Sequence, residues 1–164
     1  MRTLFRSLLA LVAAVLAALG TVVIGVRTKN PQIVGLVRRT LRDRANPQAL
    51  GTAGAPGQSH GVIIHVGRTS GRERRTPVTP VPTDDGFVIA LPYGPDSDWV
   101  RNVLAAGSAT LVTDGEQVSV ERPEVRPFKQ FEGVFPPSSR IGTRIFGVTS
   151  CLVLYRTSAP PAQD

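Results

Sequence analysis

The segment from Ser7 to Val26 contains no charged residue, and Arg6 and Arg27 close it at either end. A helix of that length rises about 30 Å, which matches the hydrocarbon thickness of a bilayer. Leu, Val and Ala fill nearly all of it, and Gly20 and Gly25 are tolerable in a membrane helix. A signal-peptide core is usually shorter, and no clean small-x-small cleavage site stands just beyond this run. A soluble core helix is rarely apolar on every side over five turns. The segment therefore reads as a retained membrane anchor, with a cleaved signal and a buried helix as weaker readings.

The charge is concentrated beside that segment. Up to Arg44 the chain carries Arg2, Arg6, Arg27, Lys29, Arg38, Arg39, Arg42 and Arg44 against Asp43 alone, an excess equal to the net charge of +7 for the whole protein. Everything after Arg44 is balanced, so a sequence pI near 11 does not point to nucleic acid. The excess lies where anionic lipid headgroups would meet it. More basic residues follow the apolar run than precede it, and this bias places the domain on the cytoplasmic side of a single-pass plasma-membrane protein. Cys151 is the sole cysteine, so no intrachain disulfide can form, in keeping with a reducing compartment.

Asn30-Pro31 is a helix start, with Asn as N-cap and Pro at the first helical position. Ile33, Val34, Val37 and Leu41 recur at helical spacing, and Arg38, Arg39 and Arg42 fall on the other side. A basic amphipathic helix ended by Pro47 is predicted, lying along a membrane surface or packed on the domain. Gly51–Gln58 has the composition of a linker. From His60 the pattern changes to short strands: Gly61–Val66, an extended Thr76–Pro82 whose prolines confine it to a sheet edge, Phe87–Leu91 after an Asp84-Asp85-Gly86 turn, a hairpin of Thr110–Thr113 and Gln117–Arg122 about Asp114-Gly115, and Thr149–Tyr155. Asp98 is read as the cap of a helix from Trp99 to Ala106 stopped by Gly107, and Phe128–Phe135 as a short helix ended by Pro136-Pro137.

Five to six strands with helices inserted between hairpins predict a mainly β (α+β) fold, a small β-barrel preceded by a transmembrane helix and an amphipathic helix. The expected divisions are an anchor over 1–27, a basic helix and linker over 28–58, the barrel over 59–158 and a disordered tail over 159–164.

The loop Gly67–Arg75 offers Arg68, Arg72, Arg74 and Arg75 with Thr69 and Ser70, directly after a buried strand. Backbone amides and arginine forks in such a loop suit an anion, phosphate above all, although an ordinary solvated hairpin loop has the same composition. Trp99 suits either the core or the edge of a pocket, and Arg101 and Asn102 share its helix. Tyr93 stands in a Gly- and Pro-rich loop with pocket and surface roles equally open. His60 and His65 have no Cys or carboxylate partner at metal spacing, so no metal site is expected. No nucleophile-elbow motif appears, and Cys151 in its apolar strand reads as an inert core thiol.

Taken together, Gly67-Arg68-x-Ser70-Gly71-x-x-Arg74-x-Thr76-Pro77 and Asp98-Trp99-x-x-Asn102-Val103-x-Ala105 resemble the deazaflavin-dependent nitroreductase family over roughly His60 to Tyr155. These are split β-barrel oxidoreductases that use coenzyme F-420. The resemblance implies that the loop after the first barrel strand grips the coenzyme's phosphate and glutamyl tail through Arg68, Ser70, Arg74, Thr76 and Pro77, supported by Arg72 and Arg75. It implies pocket roles for Tyr93, Trp99 and Asn102, and it names no catalytic residue. Leu91-Pro92-Tyr93-Gly94 replaces a lysine-bearing turn common in the family, and Phe128, Phe131 and Phe135 stand where tyrosines are known. The implied activity is hydride transfer from reduced F-420 to an organic acceptor, a membrane quinone or a nitro compound, in a protein that can form a homodimer. The alternative is a non-catalytic barrel that holds a lipid or a flavin-type ligand, or no cofactor.

Overall fold

The computed structural model describes residues 2–40 and 49–157. The predicted end of the amphipathic helix at Pro47 and the C-terminal tail lie outside the described residues. Helix α1 (Arg2–Arg27) carries apolar side chains exposed on all sides from Phe5 to Ile24, and only its last turn is packed, with Val26 fully buried. Its Phe5–Arg27 stretch is long and apolar enough to cross a membrane. The chain reverses at Thr28-Lys29, where Lys29 adopts a left-handed φ of 56°. Asn30 then caps helix α2 (Pro31–Thr40) as expected, its Oδ1 accepting from the amides of Gln32 at 3.0 Å and Ile33 at 3.3 Å. At Gly25 a Cβ would run into the Ile33 side chain, so the missing side chain is what lets the two helices close.

Of the two expected placements of the amphipathic helix, packing on the domain is the one seen: the Arg38 guanidinium donates to the carbonyls of Tyr93 and, at 3.5 Å, Asp96. One expectation in this region is corrected. Gly51–Gln58 is not a free linker. It forms a stack of turns seated on the tip of a hairpin, with Gly54 N bonded to His60 O, Gly115 N to Gly54 O at 2.6 Å and Gly57 N to Asp114 Oδ1 at 2.7 Å. The tight Asp114-Gly115 turn leaves a carboxylate and an amide facing outward, and the stack satisfies both.

Seven antiparallel strands follow: β1 (Gly61–Val66), β2 (Glu73–Val78), β3 (Pro80–Pro82), β4 (Gly86–Ala90), β5 (Ser108–Thr113), β6 (Glu116–Pro127) and β7 (Ser150–Arg156). Their order is β2-β1-β5-β6-β7-β4-β3. The two edge strands are consecutive in the chain, separated by Thr79 alone, so the sheet must curl until its edges approach each other. That makes an α+β half-barrel, in agreement with the expected class. Pro77, Pro80 and Pro82 sit on these edges, where a missing amide donor costs no ladder bond. The extended Thr76–Pro82 segment is thus two strands, which raises the count above expectation. A bulge between Glu121 and Glu124, with Arg122 at φ 49°, turns β6 from its pairing with β5 onto β7.

Strands β4 and β7 are apolar without alternation because both faces are covered. Phe87, Ile89, Leu152 and Leu154 point into the barrel with Ile63, Leu111 and Val120. Val88, Cys151 and Val153 point outward against Phe128 and Phe135. Helix α3 (Asp98–Ala106) plugs the barrel with Val100 and Val103, and Gly107 ends it at φ 71°, which a side chain would resist. Ser97, not Asp98, is the N-cap residue, and Asp98 is already helical. The expected helix over Phe128–Phe135 is only a 3-10 turn (Phe128–Gln130), and Pro137 opens helix α4 (Pro137–Ile145) instead of closing one. Proline's fixed φ suits the first helical turn and breaks only a helix already under way.

Candidate functional site

Two regions of opposite character meet at helix α3. The first is a polar chain with Asn102 and His65 buried at its centre and Arg68 and Asp98 exposed at its outer end. Asn102, only 4% exposed, accepts through Oδ1 from the backbone amide of Arg68 at 3.1 Å and from its Nη1 at 2.9 Å. The amide group of Asn102 therefore donates to His65 Nδ1 at 3.3 Å, which leaves the Nε2 proton of His65 for Thr76 Oγ1 at 3.2 Å. Burial and the nearby Arg74 charge hold the His65 pKa below the ordinary value, against a backbone hydrogen bond to Val66 that raises it. Arg68 also reaches Asp98 Oδ1 through Nη2 at 3.1 Å. This chain staples the loop after β1 to the start of α3.

The loop itself is closed on its own backbone. Gly67 N donates to Arg72 O, Ser70 N and Gly71 N donate to Gly67 O, and Arg72 N donates to Ser70 Oγ. With the Arg68 amide on Asn102, these donors have partners within the protein, and an anion here would meet side chains. Arg72, Arg74 and Arg75 are the exposed guanidiniums on offer; Arg75 has only a long 3.9 Å contact with Glu73. Pairing with β1 places Arg74 and Thr76 on the face of His65 and Ile63, and Arg75 and Pro77 on the other.

At the start of α3, beside Trp99, lies an apolar groove of about 340 Å³. Its walls are the β2–β3 junction (Pro77, Thr79, Val81), the start of α3 at Trp99, the loop residues Pro92 and Tyr93, and α4 with Phe135 behind it (Ser139, Thr143, Phe146). Its size falls at the lower end of small-molecule sites. Among the described residues Tyr93 is the one ionisable side chain in the lining, and burial raises its pKa, so it remains a hydroxyl donor. The wall at Pro92–Asp96 is held from behind by the helical hairpin. Lys29 Nζ donates to Pro92 O at 3.0 Å, and Arg38 donates to Tyr93 O. Burial, with Arg38 nearby, lowers the Lys29 pKa.

The ten residues singled out from sequence thus fall into three groups. Pro77, Tyr93 and Trp99 line the groove; Arg68, Thr76 and the buried Asn102 belong to the hydrogen-bonded staple; Ser70, Arg72, Arg74 and Arg75 stand on the exposed loop and strand. Sequence reading missed the wall supplied by α4. Ile141 and Ile145 at helical spacing after Pro137 were the signal that could have shown it.

No protein-family model and no curated protein sequence matches this chain. Among solved structures, it is similar to an F420-H2-dependent reductase, FDR-A, at 16% identity and a TM-score of 0.42, over 59% of this chain and 94% of that one. A chain described as a domain-swapped dimer matches at 11% identity and 0.41, over 58% and 79%. A Clostridium acetobutylicum protein related to general stress protein 26 of B. subtilis, of the pyridoxinephosphate oxidase family, matches at 9% and 0.46, over 72% and 84%. Likenesses this distant carry no residue role across.

Proposed function

We propose that this chain is a membrane-tethered oxidoreductase that binds reduced coenzyme F-420 and passes hydride to an organic acceptor. One juxtaposition carries the reading: an apolar slot walled by Pro77, Tyr93 and Trp99 opens beside the strand that bears Arg74 and Arg75. Two residues of strand, about 7 Å, separate Pro77 from Arg75. A flat ring system fits the slot, and an anionic tail fits the exposed guanidiniums. When bound, the coenzyme supplies the hydride. Trp99 and Pro77 would hold the ring, Tyr93 would present a hydroxyl to it, and the apolar walls would exclude water.

The tether rests on α1. Nothing in the described chain covers its apolar surface from Phe5 to Ile24, and a bilayer is the solvent that would. Arg27 and Lys29 bond to the body of the protein, which favours a retained helix over a removed leader. A lipid-soluble acceptor such as a quinone suits that location. The charge bias places the barrel on the cytoplasmic face.

The lack of any ionisable lining group other than Tyr93 favours a second reading, a non-catalytic module for a flat or lipid-like ligand. Titrating the full chain in nanodiscs with reduced F-420, followed by coenzyme fluorescence, tests both. Saturable binding with oxidation of the coenzyme when a quinone or nitro compound is added is expected. Binding without oxidation selects the module, and no binding at tens of micromolar removes the F-420 oxidoreductase and leaves a module for another flat or lipid-like ligand.

A further inference from the structure

Every described contact between the helical hairpin and the barrel falls at one end of the barrel. Arg27 Nη1 donates to Arg144 O at 3.0 Å, which caps the last turn of α4 from the anchor helix, and Gly147 lies against the Arg27 side chain. Lys29 and Arg38 hold the loop that follows β4. Strand β7 starts at this end, where Leu91 N bonds to Ser150 O, and runs to the Asp84-Asp85 turn, where Arg156 N bonds to Asp85 O. Seven residues of strand put the two ends about 20 Å apart.

Helix α4 stands at the end nearest the anchor, and its two faces differ. Ser139, Thr143 and Phe146 face the groove. Ile141 and Ile145, one turn apart, are 64% and 45% exposed among the described residues. The charges on and beside α4 are mainly basic: Arg27, Lys129, Arg140, whose guanidinium also donates to Phe135 O at 2.7 Å and Gly133 O at 2.9 Å, and Arg144, against Glu132, which contacts Arg144 at 3.3 Å, and Asp96, which is paired with Arg101. The far end carries the acidic Asp84-Asp85 turn together with Arg122 and Arg156, which lie over the Tyr155 and Phe87 rings.

We infer that α4 is an interfacial helix. Its Ile141–Ile145 face enters the acyl boundary of an anionic bilayer, and the neighbouring arginines meet the headgroups, so the barrel sits end-on against the membrane instead of swinging on its tether. This rests on the proposed tether and adds an orientation to it. The groove then lies one helix away from lipid, which is the direction from which an apolar acceptor would come.

Single-cysteine probes in the full chain test the seating. Native Cys151 is fully buried, and burial pushes its thiol up to about 11, so the unsubstituted chain is the unlabelled control. An environment-sensitive fluorophore is placed at Ile141→Cys, Ile145→Cys, Asp84→Cys and Leu16→Cys, each an exposed position. The variants are reconstituted into vesicles of phosphatidylcholine with phosphatidylglycerol. Aqueous iodide and lipids bearing a doxyl quencher near the headgroup or deep in the chain then report depth. Probes at 141 and 145 are expected to be quenched by the shallow lipid label and roughly three-fold less by iodide than the probe at 84, as for an apolar face buried below the headgroups. Iodide quenching at 141 and 145 equal to that at 84, with the Leu16 probe still reached by the deep label, overturns the seating and leaves the tether standing. Shielding from both iodide and lipid labels means that protein, such as a second copy, covers the face, and overturns it too. A Leu16 probe open to iodide removes the tether and the inference with it.

Discussion

The two regions that meet at α3 are built on opposite rules. In the staple the polar groups answer one another: Asn102 serves Arg68 twice and His65 once, His65 serves Thr76, and Arg68 reaches Asp98. In the groove, Pro77, Trp99 and Phe146 line an apolar space with the buried Phe135 behind them. Answered polar groups fix a fold, because each bond lost inside strands a desolvated partner. Unfilled apolar walls lose little by waiting, and gain only when a ligand removes their area from water. The comparison teaches that polar residues resembling a ligand site can instead bond to one another and hold the fold, beside apolar walls that have no such bonds.

The largest expected effect tests the scaffold half. Asn102→Ala strands the Arg68 amide and the His65 ring, and should destabilise the protein by about 3 kcal/mol in denaturant unfolding. A loss near zero would mean that the staple is dispensable and that Asn102 is free for a ligand. Trp99→Ala should do the converse, leaving the barrel folded while weakening F-420 binding roughly ten-fold through lost ring contact. Equal binding by that variant would move the ligand out of the groove.

The pH dependence of stability sharpens the same contrast. Burial holds the folded-state pKa of His65 below the ordinary imidazole value, so the unfolded chain takes up a proton first as the pH falls. Stability is then fully present above about 6.5 and declines below it, towards the folded-state pKa. Comparing unfolding midpoints across that range for the native chain and His65→Gln checks it, since the variant should lose this part of the slope. The smallest effect on stability belongs to Arg75→Gln. Its exposed 3.9 Å contact with Glu73 predicts a change within about 0.5 kcal/mol, while F-420 affinity should fall. Undiminished affinity would leave the exposed arginines without the tail-binding role.

Much of the fold was legible from local chemistry. The long apolar helix, the Asn30-Pro31 start, the Gly107 stop, the Asp114-Gly115 hairpin and the confinement of prolines to sheet edges each depend on residues close together in the chain. Helix α4 escaped because Pro136-Pro137 reads equally well as a stop and as a start, and packing on Phe135 decides between them. The docking of Gly51–Gln58 escaped because its partner, Asp114, is remote in sequence. The site was legible only in part. Composition marked Arg68 and Asn102 as polar and close to the right elements, but whether a guanidinium serves a ligand or a neighbouring amide depends on which side chain folding brings within 3 Å.

By itself, then, the sequence determined a charge-free helix of bilayer length, a basic collar beside it and a neutral run of short strands, since length, charge and period are local quantities. Tertiary structure alone decided that Arg38 turns back to hold the groove wall, that five of the ten candidate residues turn on contacts across the barrel for their roles (Arg68, Thr76, Pro77, Trp99 and Asn102), and that α4 completes the groove. Those outcomes rest on pairings between segments tens of residues apart, and no local pattern encodes which of several compatible partners a side chain will meet.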